Sequence, residues 1–174
     1  NFLRYALFVI FFSQFVAVPI ERSSSLLKYI NSIEDIQVWN YDRMASGAMY
    51  MLWGFFQKMV IADRVAILVD TVYSNIRIYQ SYELLVAAIG FSIQIYCDFA
   101  SYSNIAIGTA RIMGIELMEN FNTPYFSTSI QEFWRRWHIS LSTWFKDYLY
   151  IPLGGNRGSK WKRYRNIMIT FLMS

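Results

Sequence analysis

Three observations make the sequence an all-α, polytopic integral membrane protein. The 174 residues are 55% hydrophobic and 19% aromatic but only 16% charged, where soluble domains carry about 25% charged residues. Several apolar runs approach the ~20 residues that a helix needs to cross a bilayer core of ~30 Å. Gln94, Asp98, Glu132, Arg135 and Arg136 fall within or beside such runs, and polar groups at membrane depth are costly enough to mark a site or pathway. The mean hydropathy of +0.25 fits helices that enclose a polar interior better than simple lipid anchors. The same composition excludes intrinsic disorder, which needs few aromatics and high charge. A soluble all-α protein is the alternative, but this aromatic content is hard to bury in so short a soluble domain.

The elements follow in order. Tyr5 to Ile20 is apolar except for Ser13 and Gln14, and Pro19 closes it. Glu21 to Asp42 carries Ser23, Ser24 and Ser25 among mixed charges and reads as an interfacial loop with one amphipathic helix. Met44 to Ala62 passes through Trp53, Phe55 and Phe56, with Lys58 near its end, where a lysine can snorkel to the interface. Leu84 to Tyr96 is a third apolar run and ends at Asp98. Val65 to Tyr73 and Ile105 to Leu117 are shorter and more mixed, suited to buried, tilted or re-entrant pieces. Asn120 to Pro124 reads as a turn, because Pro124 restricts Thr123 to extended geometry. Pro152 and Gly154-Gly155 end the helix before them. From Ile167 another span begins. There is no internal repeat and no low-complexity tract.

Charge adds topology. The formal net charge is +4, but Arg157, Lys160, Lys162, Arg163 and Arg165 crowd into nine acid-free positions, and without them eleven basic residues face twelve acidic ones. A basic balance can signal nucleic acid, yet this one is a single patch on a nearly neutral apolar body. Loops beside spans are enriched in Lys and Arg on the cytoplasmic side, so the loop 154–165 is expected to face the cytoplasm. The single cysteine, Cys97, permits no internal disulfide, and no Cys/His zinc spacing exists. The chain opens on Asn1 and stops at Ser174 inside an apolar run, so residues 1–174 are expected to be the internal part of a single, larger membrane domain.

Ser129 to Ile151 holds the most informative pattern. At 100° per residue, Ile130, Phe133, Trp134, Trp137, Leu141, Trp144, Phe145, Tyr148 and Leu149 share an arc of roughly 160°. Glu132, Arg135, Arg136, Lys146 and Asp147 stand opposite. His138, the only histidine, lies at one edge of the apolar arc beside Gln131, Arg135 and Ser142. An imidazole there is either a hydrogen-bonded structural group or part of a polar cavity. The arginines either pair with Glu132 and lipid phosphates or shape a site, and the tryptophans serve packing or the interface.

The stretches Asn120-Phe121-Asn122-Thr123-Pro124-Tyr125-Phe126, Gln131 to Ser142 (Gln-Glu-Phe-Trp-Arg-Arg-Trp-His-Ile-Ser-Leu-Ser) and Asp147 to Arg157 closely resemble the membrane-bound O-acyltransferase family. The branch they resemble is the bacterial alginate O-acetyltransferase type, related to the D-alanyl teichoic acid transferase. Pro19-Ile20-Glu21-Arg22, Lys58 to Arg64, and Cys97-Asp98-Phe99 with Tyr102-Ser103 fit the same family, so the resemblance covers nearly the whole chain. Asn104 stands where the family often has an aspartate, and Ser13 and Val18 where it usually has Pro and Gly.

The resemblance implies part of a helical ring with short and re-entrant helices, multi-pass in the bacterial inner membrane. It implies transfer of an acyl group, acetyl by the branch, from a cytoplasmic thioester to a hydroxyl of an exported polysaccharide such as alginate. The donor would be acetyl-CoA or an acyl-carrier protein, with no permanently bound cofactor and no metal. An extracytoplasmic acetyltransferase is an expected partner; nucleic acid is not. His138 maps onto one of the family's two histidines. The other, usually taken as catalytic, lies in a Gly-x-Trp-His-Gly type motif that is expected beyond Ser174. His138 would line the tunnel, and Arg135, Arg136, Asp98, Tyr102 and Tyr148 are donor- or substrate-binding candidates. D-alanyl transfer to teichoic acid and a non-enzymatic transporter or channel are the alternatives.

Overall fold

A computed structural model describes residue 37 and residues 39–173. The run Tyr5–Ile20, the Pro19–Arg22 motif and most of the Glu21–Asp42 connector, with its expected amphipathic helix, lie outside the described residues. Among the described residues all regular structure is helical: α1 (Tyr41–Phe56), a π-helical segment (Gln57–Ala62), α2 (Asp63–Ser74), α3 (Ser81–Ile112), a 3-10 turn (Pro124–Phe126), α4 (Ile130–Arg136), α5 (Ile139–Phe145), a second π-helical segment (Lys146–Tyr150) and α6 (Lys160–Met173). The chain divides after Leu117 into two compact units.

In the first unit, Asn40 starts α1 by accepting the Arg43 N–H at 3.0 Å, with Asp42 in the first turn, where a carboxylate suits the helix dipole. No residue from Tyr41 to Ser74 leaves helical geometry, so the two runs Met44–Ala62 and Val65–Tyr73 form one rod. The rod widens to π-helix at Gln57–Ala62. Glu83 begins α3 by accepting the Gln80 N–H at 2.8 Å. Leu84–Tyr96 does not end at Asp98, and Ile105 opens no separate short piece: Leu84–Tyr96 and the first eight residues of Ile105–Leu117 belong to the 32-residue α3, which stops at Ile112. The correction has a physical cause. Asp98 is met by a cation from the neighbouring rod, so the helix carries it without breaking.

The rod and α3 lie antiparallel and touch at backbone level. A Cβ placed on Gly108 would fall 2.5 Å from the Gly47 carbonyl oxygen and 2.9 Å from the Met51 nitrogen, and one on Gly54 would fall 2.7 Å from the Ser101 carbonyl oxygen. Small residues at such crossings let membrane helices gain dispersion energy in the absence of a hydrophobic drive between them. Polar rungs tie the same interface. Arg111 donates to Ser46 Oγ at 2.9 Å and lies 4.5 Å from the Tyr50 ring centroid. Asn104 donates to Oε1 of the buried Gln57 at 2.7 Å. Lys58 sits between two carboxylates, Asp98 at 2.5 Å and Asp63 at 3.0 Å, rather than extending alone to an interface. Around the Arg111 rung Ala106, Ile107, Ala110, Ile115 and Leu117 form a small core against Tyr50.

The outward faces are apolar. Met49, Leu52, Trp53, Phe55 and Phe56 of α1 and Tyr82, Leu85, Val86, Ile89, Phe91, Ile93 and Ile95 of α3 are exposed. Among the described residues one helix, Ser81–Ile112, is long and apolar enough to cross a membrane, and only 22% of its apolar window is buried. A core helix of a soluble protein is mostly buried, and this one is not. At 1.5 Å per residue it extends ~48 Å, longer than the ~30 Å hydrocarbon core, so a helix of this length crosses a bilayer only by tilting or projecting beyond it.

The ion pair yields a first prediction. Lys58→Met leaves Asp63 and Asp98 facing each other with no cation, and less membrane-inserted, monodisperse protein is expected. Lys58→Met combined with Asp98→Asn is expected to recover most of the wild-type amount on size-exclusion chromatography in detergent. A double variant no better than the single one would show that the pair does not hold the rod to α3.

Candidate active site

In the second unit the expected single helix from Ser129 to Ile151 is broken. Ser129 caps α4 by accepting the Glu132 N–H at 3.1 Å. Glu132 reaches back to accept the Thr128 N–H at 2.8 Å and its hydroxyl at 2.9 Å, and its other oxygen pairs with Arg136 at 2.6 Å. These Thr128 donors, with Arg136 second, hold the Glu132 carboxyl below the usual carboxylate range. The helix then stops after seven residues. Trp137 is extended, and His138 takes left-handed geometry at φ 44°, ψ 57° as the N-cap of α5.

The cause lies about twenty residues upstream. The Asn122 N–H donates to the Arg136 carbonyl at 3.0 Å, and the Ile139 N–H donates to the Asn120 carbonyl at 2.9 Å. Those two helix-terminal groups would otherwise pair along a continuous helix or lie unsatisfied at the break. Asn120, 1% exposed, also accepts through Oδ1 from the Ser140 hydroxyl at 2.6 Å and the Ser140 N–H at 3.3 Å. A non-glycine residue in the left-handed region costs on the order of 1–3 kcal/mol and persists where its surroundings over-determine it. Phe121 supplies the rest, stacking on the His138 imidazole with centroids 6.5 Å apart and meeting Trp137 edge-on at 5.1 Å.

After α5 the chain widens through Lys146–Tyr150 and turns. The Tyr150 hydroxyl donates to Asn156 at 2.6 Å, and the buried Asn166 of α6 donates to the Gly155 carbonyl at 3.1 Å. The basic stretch 154–165 is therefore a loop only as far as Ser159: Lys160, Lys162, Arg163 and Arg165 lie on α6, and Ile167 falls in the middle of a helix already under way.

Between α4–α5 and α6 lies a cleft of ≈ 530 Å³, walled by aromatic rings that include Trp134, Trp137 and Phe171. His138, Ser142, Lys146, Tyr150 and Thr170 are its polar groups. Burial pushes the His138 imidazole below the ordinary histidine range; His138 lies in the break between two seven-residue helices, neither of which spans a bilayer. In its neutral form the ring has one nitrogen able to donate and the other to accept. Such a group can orient a hydroxyl or polarise a carbonyl without carrying charge.

Of the residues picked from sequence, His138 lines the cleft. Arg135 is exposed, Arg136 is held by Glu132 and also donates to Thr123 Oγ1 at 3.3 Å, and the exposed Tyr148 stacks on Trp144 at 5.3 Å. None of the three is on the cleft wall. Asp98, paired with Lys58, and Tyr102, at the surface of α3, belong to the first unit. Lys146 and Tyr150 also line the cleft, although a single helix puts Lys146 on the face opposite the apolar arc. The break and the π-helical segment reset that phase. Nothing in the hydropathy pattern singles out Asn120.

The burial of His138 sets a pH dependence. The folded state binds the imidazole proton less tightly than the unfolded chain, whose pKa is near 6.5. Stability is therefore unaffected above that value and falls as pH drops through it and below. Thermal aggregation in detergent is expected to shift to lower temperature between pH 7.5 and 5.5 more for wild type than for His138→Gln. Parallel curves for the two would contradict burial of the neutral ring.

Helices throughout the described residues, one of them long and apolar enough to cross a membrane, and an aromatic cleft around a half-buried histidine are the class features of this chain. The chain matches the membrane-bound O-acyltransferase family over residues 1–174, and it belongs to that family. It is 43% identical over 173 residues, 99% of this chain and 32% of the relative, to the "Probable alginate O-acetylase AlgI" of Pseudomonas aeruginosa. It is 41% identical over 173 residues, again 99% of this chain, to 33% of the "Peptidoglycan O-acetyltransferase" of Helicobacter pylori. More distantly, it is 32% identical over 161 residues, 85% of this chain, to 37% of the "Teichoic acid D-alanyltransferase" of Bacillus subtilis. The chain spans about a third of the length of these relatives.

Proposed function

We propose that the chain is part of a multi-pass inner-membrane O-acyltransferase that moves an acetyl group from a cytoplasmic thioester, acetyl-CoA or an acyl-carrier protein, to a hydroxyl of an exported polysaccharide such as alginate. Residues 1–174 would be an internal part of one membrane domain. The observation that carries the reading is the cleft: a half-buried His138 held at a helix break inside aromatic walls. Acyl transfer to a hydroxyl needs a proton acceptor, a donor for the tetrahedral oxyanion and exclusion of water. His138 suits the second task, donating from one ring nitrogen to the thioester carbonyl as charge develops on its oxygen. A second histidine in the Gly-x-Trp-His-Gly type motif of the family, which residues 1–174 do not contain, would take the hydroxyl proton.

The bond formed is the ester between the acceptor oxygen and the acyl carbon. The bond broken joins that carbon to the thioester sulfur, and the thiol leaves with the proton. The basic residues Arg157, Lys160, Lys162, Arg163 and Arg165 would draw the anionic donor to the cytoplasmic face. Arg135, Arg136, Asp98, Tyr102 and Tyr148 would serve donor or substrate elsewhere in the full-length protein, and an extracytoplasmic acetyltransferase would complete the pathway.

The test uses the full-length protein in a host deleted for its own copy. Polysaccharides and peptidoglycan are isolated from the envelope, and ester-linked groups are released with mild alkali and identified by mass spectrometry. Acetate on an exported polysaccharide supports the proposal. D-alanine esters would replace the acetyl assignment with the D-alanyl alternative, acetate confined to peptidoglycan would replace the acceptor, and no ester of any kind would overturn the enzyme.

A further inference from the structure

We infer that Asn120 is a positioning residue for His138, acting through the backbone break that presents the imidazole to the cleft. The inference rests on the reading of His138 as a member of the active site. Three hydrogen bonds run from Asn120 to the two residues after His138: its carbonyl accepts the Ile139 N–H, and its Oδ1 accepts both the hydroxyl and the N–H of Ser140. Asn120 and Ser140 are each 1% exposed, so bulk solvent does not compete for these bonds. On the other side of the break the Asn122 N–H holds the Arg136 carbonyl. His138 is thus clamped from before and behind, and its left-handed φ of 44° is set by its neighbours' partners.

The side-chain amide is the part that substitution can remove. With alanine at 120, the Ile139 bond to the main chain remains, but the Ser140 N–H and hydroxyl lose the one oxygen that accepts from both. The first turn of α5 is then free to relax toward the continuous helix that the local sequence favours. That movement would carry the imidazole along the cleft wall without altering its chemistry. A displacement of about 1 Å of a group at a reacting centre can cost about a hundredfold in rate.

A four-way comparison in the full-length protein tests this: wild type, Asn120→Ala, His138→Ala and the double variant. The initial rate at which ester-linked acyl groups appear on envelope polysaccharide after induction is normalised to membrane-inserted protein. Asn120→Ala is expected to lose about ten- to a hundredfold, and the double variant to be no slower than His138→Ala. Residues acting as one unit show such non-additivity, which a general loss of folding would not produce. Ser140→Ala removes one donor and leaves Asn120 in place; it is expected to lose about three- to tenfold, again with no further loss beside His138→Ala. It carries the same comparison should Asn120→Ala not insert. Losses that multiply with His138→Ala, or rates unchanged in Asn120→Ala and Ser140→Ala, overturn the positioning role while leaving the active-site reading intact. Full activity of His138→Ala overturns both.

Discussion

His138→Ala is expected to lower the initial rate of acyl transfer by two to three orders of magnitude with an unchanged amount of protein in the membrane. The estimate follows from the task assigned to the ring. Removing one pre-organised oxyanion donor typically costs ~10²–10³ in rate, and a separate base, worth ~10²–10⁴, would remain. His138→Gln should fall less far, because its amide keeps an N–H donor of similar reach. The ordering wild type, Gln, Ala therefore reports donation from the ring; equal, complete loss in both variants would point instead to proton abstraction by His138. Rates are read as ester-linked acyl groups formed per membrane-inserted protein. A variant within threefold of wild type would remove His138 from the mechanism.

The second large effect is structural. Gly108→Ala is expected to abolish the packing of the α1–α2 rod on α3, with loss of most membrane-inserted, monodisperse protein. Its new Cβ would lie 2.5 Å from a carbonyl oxygen and 2.9 Å from a backbone nitrogen, groups that move only if the two helices separate. Overpacking a core costs ~1–3 kcal/mol when side chains can adjust; here the obstruction is main chain, so the upper end or beyond is expected. Gly90→Ala is the control on the same helix. Its Cβ would meet the Val69 side chain at 3.2 Å, a contact that a small shift relieves. Chromatography in detergent should separate the two variants clearly. Equal recovery would mean that α1 and α3 do not meet at backbone distance in the membrane.

Much of this fold can be read from composition because lipid exposure is a local property. A residue that faces hydrocarbon must be apolar whatever its partners, so the runs through Trp53–Phe56 and Leu84–Tyr96 identify helices directly. Where runs join is not local. Asp98 looks like the end of a span until Lys58, forty positions earlier, is placed beside it, and Asn104 looks like a lost charge until Gln57 is seen to take its amide. The basic cluster shows the same limit: its charges are plain, but their division between a loop and the start of α6 depends on Asn166 holding Gly155.

The candidate site divides along the same line. His138, as the sole histidine within a Trp-Arg-Arg-Trp-His segment, is found from the chain alone, together with the aromatic wall around it. The break that presents it is not, since Trp137, His138 and Ile139 have ordinary helix propensities and their period continues unbroken through Leu141. Sequence alone determined that the described residues are helical and apolar enough for a bilayer, with a single histidine beside an aromatic stripe. Tertiary structure decided that the helix bearing that histidine stops and restarts, because a helix ends where another segment offers its backbone better partners, and Asn120 and Asn122 make that offer to Ile139 and Arg136 from well upstream.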